Sequence, residues 1–154
     1  MAGEDHGANI DARESKLPPF SGVSYKILLI HTWDETFLLL KLMLERFGKH
    51  EVVSHNKPET TLAVVRAFKP DVIGSHDNMA GMDGLAVYGQ VQADPAFAAI
   101  PWILITARSL PEDFDPYLAV GFKDWVILPV GPRELVPVFD AWGRYSQIAR
   151  ARQK

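Results

Sequence analysis

Five short apolar runs, spaced along the chain with helix-like segments between them, constrain this sequence more than any other feature. They are Lys26-Ile27-Leu28-Leu29-Ile30, Glu51-Val52-Val53, Asp71-Val72-Ile73-Gly74-Ser75-His76, Pro101-Trp102-Ile103-Leu104-Ile105-Thr106 and Asp124-Trp125-Val126-Ile127-Leu128. The first is short and continuous, as a strand buried on both faces of a parallel sheet should be. Between the runs the periodicity turns helical. Thr32-Trp33-Asp34-Glu35 has the spacing of a capping box. Phe37, Leu40, Leu44 and Phe47 follow on one helical face, with Gly48 placed to end that helix. Pro58 opens a helix through Phe68, and another runs from near Asp83-Gly84 to about Gln92. Pro132 opens the last, which carries Leu135, Phe139 and Trp142 on one face. Pro137 is expected to bend it or delay its first regular turn. Pro111 and Pro116 mark Ala107 to Asp115 as a long loop. The fourth helix is therefore expected to be short, starting at Pro116 after an Asp115 N-cap and ending at Gly121. A helix begun at Pro111 would be broken by Pro116 at a cost of about 3 kcal/mol.

Strands alternating with helices imply an α/β fold: a doubly wound five-stranded parallel sheet with right-handed crossovers, for which the strand order 2-1-3-4-5 is a common solution. In such sheets the working site lies at the carboxyl ends of the strands, at the point where the strand order reverses. That directs attention to residues 30–34, 76–78 and 106–108.

A chain of 154 residues suits one core. Residues 1–24 read as a flexible tail, 25–147 as the domain and 148–154 as a basic C-terminal end. With a net charge of −3, nothing global points to nucleic acid or an anionic membrane. Arg144, Arg150, Arg152 and Lys154 read as a solvated helix end that complements the helix dipole. The absence of cysteine excludes disulfides, thiolate zinc sites and a cysteine nucleophile. The polar N-terminus has no apolar core of a signal peptide, and no run approaches the ~20 residues of a membrane span, so a cytoplasmic protein is expected.

Three stretches carry a resemblance. Lys69-Pro70-Asp71-Val72-Ile73 is followed by Asn78-Met79-Ala80-Gly81-Met82-Asp83-Gly84; Ile100 to Arg108 reads Ile-Pro-Trp-Ile-Leu-Ile-Thr-Ala-Arg; Gly121 to Pro129 reads Gly-Phe-Lys-Asp-Trp-Val-Ile-Leu-Pro. Together they resemble the receiver domains of bacterial response regulators over about Tyr25 to Tyr145. Ala80 stands in place of the family's usual loop proline. The resemblance implies the flavodoxin-like receiver fold, a switch threonine at Thr106, an aromatic switch residue at Trp125 and a cis proline at Pro129. Gly81 and Gly84 are turn residues of this loop, not a phosphate-binding motif.

The same resemblance places the family's chemistry on positions that have lost it. The two Mg²⁺-holding carboxylates correspond to His31 and Thr32, the phosphoacceptor aspartate to His76, and the invariant lysine to Leu128. Mg²⁺ demands near-octahedral oxygen ligation, and phosphoryl transfer needs the metal and a cation to neutralise developing charge. Asp77 is expected to point away, because neighbouring strand residues face opposite sides; the alternative is a phosphoacceptor displaced by one residue. Asp34 is expected in the first turn of the first helix, where negative charge is favourable. His31 and His76 should lie close together at the ends of neighbouring strands, as neutral space-filling imidazoles; the sharper alternative is a metal or pH-sensing pair.

The expected function is that of a stand-alone pseudo-receiver in bacterial signalling. It would act by phosphorylation-independent protein–protein interaction, with no enzymatic activity, no cofactor and no metal. The expected partner is a kinase, scaffold or motor component, with homodimerisation also open. No output domain is expected, since a DNA-binding module would need roughly 50 more residues. The expected partner surface is the face of the fourth helix, fifth strand and fifth helix, where Tyr117, Lys123, Val138 and Tyr145 are candidates. The alternative function is a small-ligand or metal sensor using the pocket around His31, His76 and Thr106.

Overall fold

The computed structural model describes residues 23–32, 35–79 and 82–152. Its elements are β1 (Lys26–Ile30), α1 (Glu35–Arg46), β2 (Glu51–His55), α2 (Thr61–Phe68, entered through a 3-10 turn at Pro58–Thr60), β3 (Val72–His76), α3 (Gly84–Gln92), β4 (Trp102–Thr106), α4 (Pro111–Val120), β5 (Asp124–Ile127) and α5 (Pro132–Arg152). The strands form one parallel sheet in the order β2-β1-β3-β4-β5. A two-residue antiparallel ladder, Asn78–Met79 with Met82–Asp83, lies between β3 and α3. Among the described residues no helix is long and apolar enough to cross a membrane.

The burial of each strand follows from its place in the sheet. The central strands β1, β3 and β4 are buried at nearly every position, whereas the edge strands β2 and β5 alternate. Because strand side chains alternate in direction, the sheet separates two cores. Leu28, Ile30, Ile73, Trp102 and Leu104 meet α2, α3 and Phe114 of α4 on one side. Ile27, Leu29, Val72, Ile103 and Ile105 meet Phe37, Leu40 and Leu44 of α1 and Leu135 and Phe139 of α5 on the other. Gly74 lets α5 close down: a Cβ there would stand 2.9 Å from the side chains of Ile105, Leu29 and Phe139.

Several expectations change. The helix α4 begins at Pro111 and runs unbroken to Val120, so the long loop and the start at Pro116 are wrong. Pro111 occupies the first helical position, where its missing N–H costs nothing. The Asp113 carboxylate accepts from the Leu110 N–H at 3.2 Å, and the Asp113 N–H donates to the Leu110 carbonyl at 2.9 Å. Pro116 forfeits one bond to the carbonyl of exposed Glu112, but Phe114, stacked on Trp125, and Tyr117, packed on Phe122, hold the helix to the domain. Tertiary packing outweighs the local penalty. Likewise α5 is helical from Pro132 despite Pro137, its first turn closed by Glu134, which accepts from the Gly131 N–H at 3.2 Å. Phe47, expected on the buried stripe of α1, lies just past the helix end and is 59% exposed.

Arg144, Arg150 and Arg152 are exposed, the last two in the final turn of α5, as expected of a solvated basic helix end; Lys154 lies outside the described residues. The helix α5 continues through 148–152, and Arg150 bonds the carboxylate of buried Asp71, which also accepts from the Lys26 N–H at 2.7 Å. The tail up to residue 22, the Trp33-Asp34 segment of the expected capping box, and with it Asp34, lie outside the described residues.

Candidate functional site

At the carboxyl edge of the sheet, β1, β3 and β4 run side by side, with Ile30 opposite Ser75 and His76 opposite Ile105. His31, one residue beyond β1, is 6% exposed. Its Nδ1 lies against the Thr32 carbonyl oxygen, which can only accept, so Nδ1 carries the hydrogen. Its Nε2 is 2.6 Å from Ser54 Oγ. The ring stacks on Phe37 with centroids 4.6 Å apart, and His76 packs edge-on against the same Phe37 at 5.3 Å. The two imidazoles thus share Phe37 as a neighbour. Both ring nitrogens of His31 are thus engaged in hydrogen bonds. Thr32 is half-buried beside it. Among the described residues, no three His, Asp or Glu side chains are grouped so as to share a metal ion.

Asp77 departs from expectation. Strand alternation would turn it away, but β3 ends at His76, and beyond that residue the alternation no longer applies. Thr106 Oγ1 donates to the Asp77 carboxylate at 2.8 Å. His76 Nε2 stands 3.3 Å and Arg108 Nε 3.6 Å from its oxygens, while the Asp77 side chain is only 13% exposed. Thr106 Oγ1 in turn accepts from the Arg108 N–H at 3.0 Å, and the Tyr117 hydroxyl donates to the Asp77 carbonyl at 3.1 Å. Sequence reasoning missed this cluster of Asp77, Thr106, Arg108 and Tyr117. The available signal was an acid directly after the strand end.

The donor set does not fit Mg²⁺. Among the described residues, two imidazoles, a hydroxyl and one carboxylate already tied to a hydroxyl and a guanidinium are not the oxygen-rich cage that the ion takes. Half-buried Leu128, which the resemblance sets at the lysine position, packs against the α1–α5 core and its N–H donates to the Thr106 carbonyl at 2.8 Å; the Leu128–Pro129 peptide is cis. The nearby cation is Arg108 instead, 66% exposed and shared with Asp113 at 3.7 Å.

Trp125 projects outward from β5, 40% exposed, and stacks on Phe114 at 5.2 Å and 14°. Below it, β5 and the start of α5 enclose a groove of about 340 Å³ walled by Trp125, Ile127, Pro129, Val130 and Val138, with Glu134 at its side. Of the four residues expected on this face, Val138 lines the groove. Tyr145 stands farther along α5, 49% exposed, edge-on to Trp142, whose Nε1 donates to Asp124 at 3.0 Å. Lys123 is exposed but precedes the strand and lies outside the groove lining. Tyr117 does not belong to this surface: the helical phase set by Pro111 turns it inward, onto Phe122 and Asp77.

Burial pushes the Tyr117 phenol up, and the neighbouring Asp77 and Asp83 push it further, against Arg108. Burial also raises Tyr25 and Tyr88. A phenol held neutral in the folded state contributes stability that is fully present below about pH 10 and is lost as pH rises through the raised folded value. Urea midpoints should therefore fall above about pH 10, and Tyr117→Phe should flatten that fall. A midpoint independent of pH up to the end of the alkaline range would contradict this.

The family model for the response regulator receiver domain matches residues 27–140. This chain belongs to that family. Among its relatives is a 14.6 kDa protein in the sodA1 3′ region of Leptolyngbya boryana, 34% identical over 110 residues, covering 71% of this chain and 83% of that protein. PilH of Pseudomonas aeruginosa is 28% identical over 116 residues, covering 75% of this chain and 95% of PilH. PhoP of Bacillus subtilis, an alkaline phosphatase synthesis transcriptional regulatory protein, is 30% identical over 126 residues, but the match spans only 50% of its length. The fold is shared with the chemotaxis response regulator CheY4 of Vibrio cholerae (TM-score 0.71, 23% identity, 78% of this chain and 99% of that one). It is also shared with a response regulator from Chloroflexus aurantiacus (TM-score 0.73, 22% identity, 79% and 99%). Within this fold Thr106 and Trp125 lie on neighbouring strands, β4 and β5.

Proposed function

We propose that this receiver is a cytoplasmic signalling adaptor that works through protein–protein contact, without aspartyl phosphorylation and without catalysis of its own. The observation that carries this reading is the phosphorylation pocket. His31, Thr32, His76 and Leu128 replace its acids and lysine, and its remaining carboxylate, Asp77, is held by Thr106 and Arg108. The partner face is the groove between Trp125 and Val138, extended along α5 to Tyr145. Aromatic and aliphatic side chains around a groove are the usual anchors of a binding hot spot. The partner is a kinase, scaffold or motor component of a two-component pathway. The sensor alternative is weaker, because both nitrogens of His31 are already engaged and Phe37 packs on both imidazoles.

Incubation with acetyl phosphate and Mg²⁺, followed by intact-mass measurement, is expected to show no added phosphoryl group. A stoichiometric, base-labile adduct would overturn the reading and point to Asp77. In the second arm, Val138→Glu with Tyr145→Glu should weaken capture of the native partner about a hundredfold while the melting temperature is kept. Undiminished capture by the folded double variant would rule this face out.

A further inference from the structure

The outward face of α1 is apolar where a solvated helix carries charge. Its inward stripe is Phe37, Leu40 and Leu44, all buried. At about 100° per residue, the opposite direction falls on Leu42, flanked by Leu38 and Leu39 and ending in Glu35 and Arg46. These three leucines are 59%, 52% and 51% exposed for Leu38, Leu39 and Leu42 respectively. They are neighbours at helical spacing, so they make one patch and not scattered single residues. A contiguous exposed leucine patch of this kind marks an interaction surface. Lys41 and Glu45 on its flank pair with each other at 2.8 Å.

The stripe carries an acid at its first turn and a base at its last, with leucines between. We propose that a second copy of this chain covers it, α1 against α1, antiparallel, about a two-fold axis between Leu39 and Leu42. In that arrangement Leu39 of each copy meets Leu42 of the other, and Glu35 of each faces Arg46 of the other. A parallel pairing would oppose like charges at both ends. A two-fold interface must be self-complementary, and an acid–leucine–base stripe on one helix has that property. The helix α1 packs on β2 and on α5, and the Trp125–Val138 groove lies at the β5 edge, outside the exposed leucine face of α1. This inference stands independently of how the groove is used.

Sedimentation equilibrium of the full chain tests it. The mass should rise from one 17.2 kDa chain to two between about 1 μM and about 500 μM. Leu39→Glu with Leu42→Glu should remain a single chain throughout with its melting temperature retained. Arg46→Glu should weaken the dimer about tenfold, because the altered contact occurs twice. Adding Glu35→Arg to it should return the dissociation constant to within about threefold of the original. The exposed charge variants decide the matter if the leucine variant fails to fold. A single-chain mass at every concentration would overturn the proposal. So would a dimer indifferent to the α1 variants, or one lost only on Val138→Glu with Tyr145→Glu.

Discussion

Changing His76 to aspartate alone is expected to leave the protein unlabelled by acetyl phosphate and Mg²⁺, whereas His31→Asp, Thr32→Asp, His76→Asp and Leu128→Lys together should convert most chains to a base-labile phosphoryl adduct. The single change supplies an acceptor but no metal cage. The carboxylate beside it among the described residues, Asp77, is already bonded to Thr106 and close to Arg108. Mg²⁺ requires several oxygen ligands in near-octahedral array, and most of the barrier reduction in phosphoryl transfer comes from the metal and the cation that neutralise charge. The fourfold change supplies three carboxylates and, at half-buried Leu128, a lysine that can lay its stem on the core and extend its ammonium to the pocket. Clustering three acids beside Asp77 brings like-charge repulsion, so the fourfold variant should melt lower without metal and recover on adding Mg²⁺. Intact mass and melting curves with and without Mg²⁺ read both effects. Efficient labelling of the single variant would show that the metal carboxylates and lysine are not the deciding losses.

Phe139→Ala is expected to lower stability by about 3–5 kcal/mol, a large share of the ~5–15 kcal/mol available to a domain of this kind. Phe139 is fully buried, and its Cζ lies 2.9 Å from where a Cβ on Gly74 would stand. The ring covers the glycine, and that contact anchors α5, the helix bearing Val138 and Tyr145, to the centre of the sheet. Gly74→Ala should cost about 1–3 kcal/mol by overpacking. The two together should cost less than their sum, since the new methyl enters space the ring has left. Urea midpoints at constant m-value give the comparison; strict additivity would mean that the two sites do not share this space.

Much of the site was legible because its positions are counted along the chain. Lys69-Pro70-Asp71 on one side and Met82-Asp83-Gly84 on the other locate His76 at the end of the third strand, and the structure ends β3 there. Asp77 was not legible. Its direction depends on where the strand stops and on what offers it a hydrogen bond, and that partner, Thr106, lies 29 residues away. Tyr117 was misread as surface because its phase follows from a helix start that local rules placed five residues late.

The sequence by itself determined the five strands, their parallel order, and the buried positions Phe37, Leu40 and Leu44 of α1 and Leu135 and Phe139 of α5. Each of these is written in local periodicity, turn residues or residue identity. Only the tertiary structure decided where α4 begins, which way Asp77 turns, that Arg150 reaches back to Asp71, and that the leucines opposite the buried stripe of α1 stay uncovered. Those outcomes depend on contacts between residues far apart in the chain. In α4, packing of Phe114 and Tyr117 outweighs a proline penalty that local rules would let stand.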